Sequence, residues 1–244
     1  MARPALAGTR VVGDNGHMDN AIDLLETIEQ ETGPSPQWAV VWLHGLGADG
    51  HDFVPLVPEL VRPEWPALRF VFPHAPVRAV TINNGARMRA WYDIVGMDFP
   101  TRADSQGVDQ SIAHASALID REHARGIPAE RVLLAGFSQG GAIALAAGLR
   151  RKTPLAGVIG LSTYLPGAET AADAKTEAAT RQPVFMAHGS ADPVIPLIHA
   201  ERSAQLLTRL GFEVEWHRYP MAHQLCGEEV RDLGDWMTQR FAQG

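Results

Sequence analysis

Short apolar runs recur along this chain, separated by segments of helical period. The runs at 38–43, 68–72, 132–135, 155–161, 184–187 and 212–219 are too short for helices and read as buried strands. Between them, 105–125 places Val108, Ile112, Ala115, Leu118 and Ile119 on one face, and Gly126 with Pro128 stops it. A second helix is predicted over 197–210, with Pro196 at its first turn and Gly211 at its end. Two more are predicted at 142–149 and 228–241. Alternating strand and helix imply an α/β fold, a mostly parallel sheet with helices on both faces.

Two stretches break that rhythm. Residues 73–104 show no clear period yet hold Trp91, Tyr92, Ile94, Met97 and Phe99, so they read as a lid-like loop excursion. Residues 163–183, rich in Ala, Thr and Glu, read as a solvated excursion. Residues 1–20 carry Gly, Asn and Asp without periodicity and read as a poorly ordered N-terminal extension or a frayed edge strand. That leaves 21–244 as a single domain, a size routine for an α/β fold.

Composition narrows the function classes. The chain has 244 residues, 45% apolar and 20% charged, ordinary for a soluble globular protein. A formal charge of −7 gives no support for nucleic-acid or anionic-membrane binding. One cysteine, Cys226, forms no intrachain disulfide and suits a reducing, cytoplasmic compartment. The first 20 residues hold no apolar signal core, and no apolar run is long enough to insert stably in a bilayer.

The chemistry concentrates where the 132–135 run meets Gly136-Phe-Ser138-Gln-Gly140. A buried strand, G-x-S-x-G and then a helix is the context of a nucleophile elbow, in which a sharp turn lifts Ser138 Oγ above the sheet. The competing reading is an ordinary glycine turn. A serine nucleophile needs a base, and the base needs an orienting acid. Downstream, in the order Ser, Asp, His, Asp192 and His223 each lie on a loop between a strand and a helix. The competing readings are a helix N-cap or Asx-turn for Asp192 and a plain surface-loop histidine for His223. Their order and placement favour catalysis, with activity falling as His223 protonates on acidification. Asp93 precedes the serine and ranks below Asp192. The oxyanion donors are assigned to the N–H groups of Gln139, which follows the serine, and of Leu46, in the glycine-rich loop after the first apolar run.

Other motifs overlap these residues. The stretch from Gly45 to Gly50 fits the G-x-G-x-x-G dinucleotide pattern, but the 68–72 run ends in Pro73-His74, without the ribose-binding acid. The histidines show no zinc-site spacing, and no metal or organic cofactor is expected. His44 and His188, each at a strand end before glycine, read as partners that tether their loops.

With these residues placed, the sequence resembles the acyl-protein thioesterase and small bacterial carboxylesterase family of α/β-hydrolases. The matching stretches are 43–50, 90–94, 136–142, 161–166, 188–196 and 219–223, in the family's order. The resemblance implies Ser138, Asp192 and His223 as the triad, with Leu46 and Gln139 as oxyanion donors. It implies that 73–104 is an acyl-binding lid with Leu165 near the acyl pocket, and that Trp91, Met97 and Leu165 line an apolar slot. Ser162-Thr163 replaces the commoner Ser-Gly pair, a change expected to narrow the pocket mouth. The implied activity is hydrolysis of carboxylic esters with short to medium acyl chains, and of thioesters, through an acyl-enzyme. The alternatives are an acyl-protein thioesterase or lysophospholipase for long chains, and a non-catalytic acyl-binding scaffold. Substrates would be small or lipid-like esters or an acylated protein, and exposed lid residues would favour a weak homodimer.

Overall fold

The computed structural model describes residues 10–12, 23–99 and 101–243. Eight strands form one sheet: β1 (Arg10–Val12), β2 (Thr27–Glu31), β3 (Trp38–Leu43), β4 (Leu68–Pro73), β7 (Val132–Phe137), β8 (Gly157–Leu161), β9 (Val184–Gly189) and β10 (Val214–Tyr219). Their order is β1-β2-β4-β3-β7-β8-β9-β10. From β4 to β10 all neighbours are parallel, while β1 and β2 add an antiparallel edge. A separate hairpin pairs β5 (Val77–Val80) with β6 (Ala86–Arg89). The helices are α1 (Val57–Leu60), α2 (Ser105–Ala124), α3 (Gln139–Leu149), α4 (Ala171–Ala174), α5 (Leu197–Arg209) and α6 (Gly227–Gln243).

The period of two in the central strands explains why the predicted runs were continuously apolar. In β3, Ala39, Val41 and Leu43 join the core formed with α2, α3 and α5. Trp38, Val40 and Trp42 join the core formed with α1 and α6. A strand buried on both faces has no polar side to show. Helix α2 ends as its sequence requires: Gly126 takes φ +95°, and the Ile127 N–H donates to the Glu122 carbonyl.

Three features depart from the sequence reading. The excursion that begins at Pro73 carries a β-hairpin, β5–β6, and after it Ala90, Trp91 and Tyr92 enter the core. The hairpin strands are largely exposed, so no alternation marked them in the sequence. Helix α3 begins at Gln139, earlier than predicted, because the glycines after Ser138 already lie in its first turn. Strand β2 shows no apolar run because it buries a charge: Glu29 pairs with Arg121 of α2 and with Arg125 at that helix's C-terminal end. Those arginines hold the Glu29 carboxyl below its usual range against the opposing effect of burial. The extension expected over 1–20 lies outside the described residues except for Arg10–Val12, which adds an edge strand to β2.

One buried group in α6 carries a measurable consequence. The Glu229 carboxyl is fully buried and no side chain donates to either oxygen. Burial raises its pKa from 4.5 to about 8, the Cys226 backbone amide offsetting part of the effect. The folded state therefore keeps a proton that the unfolded state releases, and stability falls as pH rises from the unfolded value toward the folded one. Glu229→Gln removes the penalty. Its unfolding free energy should match wild type near pH 4.5 and exceed it increasingly up to about pH 8, by on the order of 5 kcal/mol at most, read as a growing Tm difference. A Tm difference independent of pH in thermal denaturation would contradict this.

Candidate active site

Parallel register brings the strand ends to one edge. Leu43 pairs with Gly136, Phe137 with Leu161, Leu161 with Ala187, and Gly189 with Tyr219. The loops carrying Ser138, Asp192 and His223 all leave from this carboxyl edge, where open α/β sheets place their sites.

The turn from β7 into α3 is tight enough to demand glycine. A Cβ on Gly136 would sit 2.3 Å from Gly140 backbone atoms, and one on Gly140 would sit 2.3 Å from the Leu43 carbonyl oxygen. Ser138 itself adopts φ +54°, ψ −119°, a conformation that costs about 1–3 kcal/mol for a residue with a side chain. Surrounding bonds hold it there. The Ser138 N–H donates to the Leu161 carbonyl, and its own carbonyl accepts from the Ala142 N–H and, at 2.7 Å, from the Thr163 hydroxyl. Thr163 is thus buried under the elbow, packed against Gly141 and Gly160, and does not narrow a pocket mouth.

Three side chains form a continuous relay. Ser138 Oγ lies 2.8 Å from His223 Nε2, and His223 Nδ1 lies 2.7 Å from Asp192 Oδ2. Asp192 Oδ1 accepts from the Val194 and Ile195 N–H groups at 2.8 and 2.9 Å. The carboxylate is thereby fixed and fully shielded, while His223 keeps a partly exposed face. The His223 loop packs on β9 at Gly189, where a Cβ would lie 2.3 Å from the Ala222 carbonyl oxygen. Asp93 is used elsewhere, accepting from the N–H and hydroxyl of Thr81.

The loop after β3 is pinned on several sides. His44 Nε2 accepts from the Ala75 N–H, so its Nδ1–H donates to the Gly45 carbonyl at 2.7 Å. Burial pushes His44 down to about 4, which keeps it neutral. The His44 carbonyl accepts from the Trp91 indole, and the Gly47 N–H donates to the Arg89 carbonyl. A Cβ on Gly45 would touch Ser138 Cβ at 3.6 Å, so this loop lies directly against Ser138. Gln139 opens α3, where the first N–H groups have no intrahelical acceptor. Its side chain does work that the sequence did not reveal: Oε1 accepts from the Trp91 N–H and Nε2 donates to the Tyr92 carbonyl, each at 2.8 Å. The elbow is thus tied to the segment after the hairpin.

The three residues expected to share an acyl slot are not brought together in that way. Trp91 is fully buried, and Met97 is 79% exposed. Leu165 borders a cavity of about 390 Å³, together with Phe99, Tyr164, His199 and Leu206, that none of the relay residues lines. Trp91 is therefore a structural residue. Trp91→Ala should cost about 3–5 kcal/mol of stability, read by chemical denaturation, in line with large-to-small core changes. Unchanged stability with an altered acyl-chain preference would reverse that assignment.

The fold and this constellation define a serine hydrolase of the α/β-hydrolase class. The chain belongs to the phospholipase/carboxylesterase family, whose pattern matches residues 25–240. It is 39% identical to acyl-protein thioesterase 1 of Neurospora crassa over 83% of this chain and 86% of that one. It is 35% identical to the Yarrowia lipolytica protein of the same name, over 84% of this chain and 92% of that one. Among solved structures, Arabidopsis thaliana SOBER1 superposes with a TM-score of 0.78 at 30% identity, covering 83% of this chain and 98% of that one. Zea mays acyl-protein thioesterase 2 superposes with a TM-score of 0.75 at 27% identity, covering 96% and 99%.

Proposed function

We propose that Ser138, His223 and Asp192 are the catalytic triad and that the enzyme hydrolyses carboxylic esters and thioesters through an acyl-enzyme. The observation that carries this reading is the unbroken relay from Ser138 Oγ through both His223 nitrogens to Asp192 Oδ2, set on a strained elbow. His223 Nε2 takes the serine proton as Oγ attacks the acyl carbonyl. Asp192 keeps the other imidazole proton on Nδ1 and stabilises the imidazolium. The Gln139 and Leu46 N–H groups receive the oxyanion. The imidazolium then protonates the leaving alcohol or thiol. Water, deprotonated by His223, attacks the acyl carbonyl and releases the acid.

The substrate class we assign is a small or lipid-like ester with a short to medium acyl chain. A second reading, favoured by the similarity to acyl-protein thioesterases 1 at 35–39% identity, is a long-chain thioester on an acylated protein. The single cysteine supports a reducing compartment, the cytoplasm, for either. Among the described residues no helix is long and apolar enough to cross a membrane. A p-nitrophenyl ester series of increasing acyl length, run beside an S-acylated peptide, separates the two. A kcat/KM peak at short or medium chains is expected. A rise toward the longest chains together with faster thioester cleavage would select the second reading, and no hydrolysis of either would overturn both.

A further inference from the structure

A second histidine touches the proposed catalytic acid. His188, at the end of β9, is fully buried. Its Nε2 lies 2.9 Å from the Ile195 carbonyl oxygen and 3.3 Å from Asp192 Oδ2, the oxygen that also holds His223. Its Nδ1 is buried and has no hydrogen-bond partner. With two oxygens at one nitrogen and none at the other, the single ring proton belongs on Nε2. A charged ring would bury an N–H without an acceptor, a cost that a neutral ring avoids. The charged and titratable groups facing it are Asp192, His223 and, farther away, Glu201. Burial, chiefly, and His223 favour the neutral form against the opposing pull of the Ile195 carbonyl and the two carboxylates.

Resting on the triad reading above, we propose that His188 is a positioning residue for the reaction. Its Nε2–H closes the 189–195 loop at the Ile195 carbonyl, and the Ile195 N–H in turn holds Asp192 Oδ1. The same proton lies beside Oδ2 and draws on the negative charge that His223 uses. The carboxylate is therefore fixed in angle by backbone amides on one oxygen and tempered in charge by two imidazoles on the other. His188 touches no substrate and transfers no proton. It sets where Asp192 points and how strongly it stabilises the His223 imidazolium.

The test compares wild type, His188→Leu and His188→Gln on p-nitrophenyl acetate from pH 5 to 9, with Tm recorded for each. Glutamine can place an N–H near the position of Nε2, whereas leucine cannot. The leucine variant should lose about 10- to 100-fold in kcat with KM nearly unchanged, the scale expected when a catalytic group is misplaced by about 1 Å. Its acid limb should move to higher pH, because Oδ2 without the second N–H stabilises imidazolium more. Glutamine should restore most of kcat and return the limb. Wild-type kcat and pH profile in the leucine variant would overturn the proposal. So would equal loss in both variants accompanied by a matching fall in Tm, which is the signature of packing alone. Should neither variant fold, nitrogen NMR of wild-type imidazoles decides: a neutral Nε2–H ring at residue 188 throughout this pH range is expected, and an Nδ1–H or charged ring overturns the assignment. Asp192→Asn, run in parallel, separates the role of His188 from the triad itself. Full activity there refutes the triad reading, whereas an inactive Asp192→Asn beside unaffected His188 variants refutes this proposal alone.

Discussion

Ser138→Ala should lower kcat on a p-nitrophenyl ester by about 10⁶-fold, the scale seen when a serine hydrolase loses its nucleophile, while KM changes little. The reason lies in what remains. Alanine keeps the Cβ, so the elbow, the Thr163 bond to the Ser138 carbonyl and the start of α3 should all persist. His223, Asp192 and the proposed oxyanion donors would stay in place but have no atom to attack with. Residual turnover above water would come from the oxyanion donors and substrate placement alone. A Tm at or slightly above wild type, together with this loss of rate, would place the effect in the chemistry. A loss of only a few fold would mean that Ser138 is not the nucleophile.

The second large effect is expected at Asp192. Asparagine there should cost about 10⁴-fold in kcat, because it inverts the tautomer of the base. The Val194 and Ile195 N–H groups both donate to Oδ1, so an asparagine would keep its carbonyl oxygen at that position. Its amide nitrogen would then face His223 Nδ1, where Oδ2 now sits at 2.7 Å. Nδ1 would have to accept, the ring proton would move to Nε2, and Nε2 could no longer take the proton of Ser138. The amide would also oppose the Nε2–H of His188. Steady-state kinetics with imidazole NMR would test both halves: the rate loss and the proton on Nε2. A rate within tenfold of wild type would exclude Asp192 as the orienting acid.

Most of the central sheet was legible because strands such as β3 and β7 are buried on both faces and read as unbroken apolar runs. The site was legible for a related reason. The elbow needs glycine at Gly136 and Gly140 for steric reasons, and that need is written in the sequence as G-x-S-x-G. Strand β2 was not legible, since Glu29 is buried only by virtue of arginines far along the chain on α2. The hairpin β5–β6 was hidden because an exposed two-stranded ribbon shows no apolar face. Trp91 illustrates the limit at the site. An aromatic beside a catalytic loop could line a pocket or support one, and only its bonds to the His44 carbonyl and to Gln139 decide for support. The side-chain role of Gln139 left no sequence signal, because its partners are backbone atoms of a distant segment. His188 left a partial one, a histidine before glycine at a strand end.

Whether Ser138 carries the acyl group is read by titration with a fluorophosphonate followed by intact-mass and peptide mapping. One adduct per chain is expected, on the peptide containing Ser138, with esterase activity lost in proportion to labelling. Complete labelling with activity retained, or inactivation by an adduct on any other residue, would exclude Ser138 as the acyl carrier.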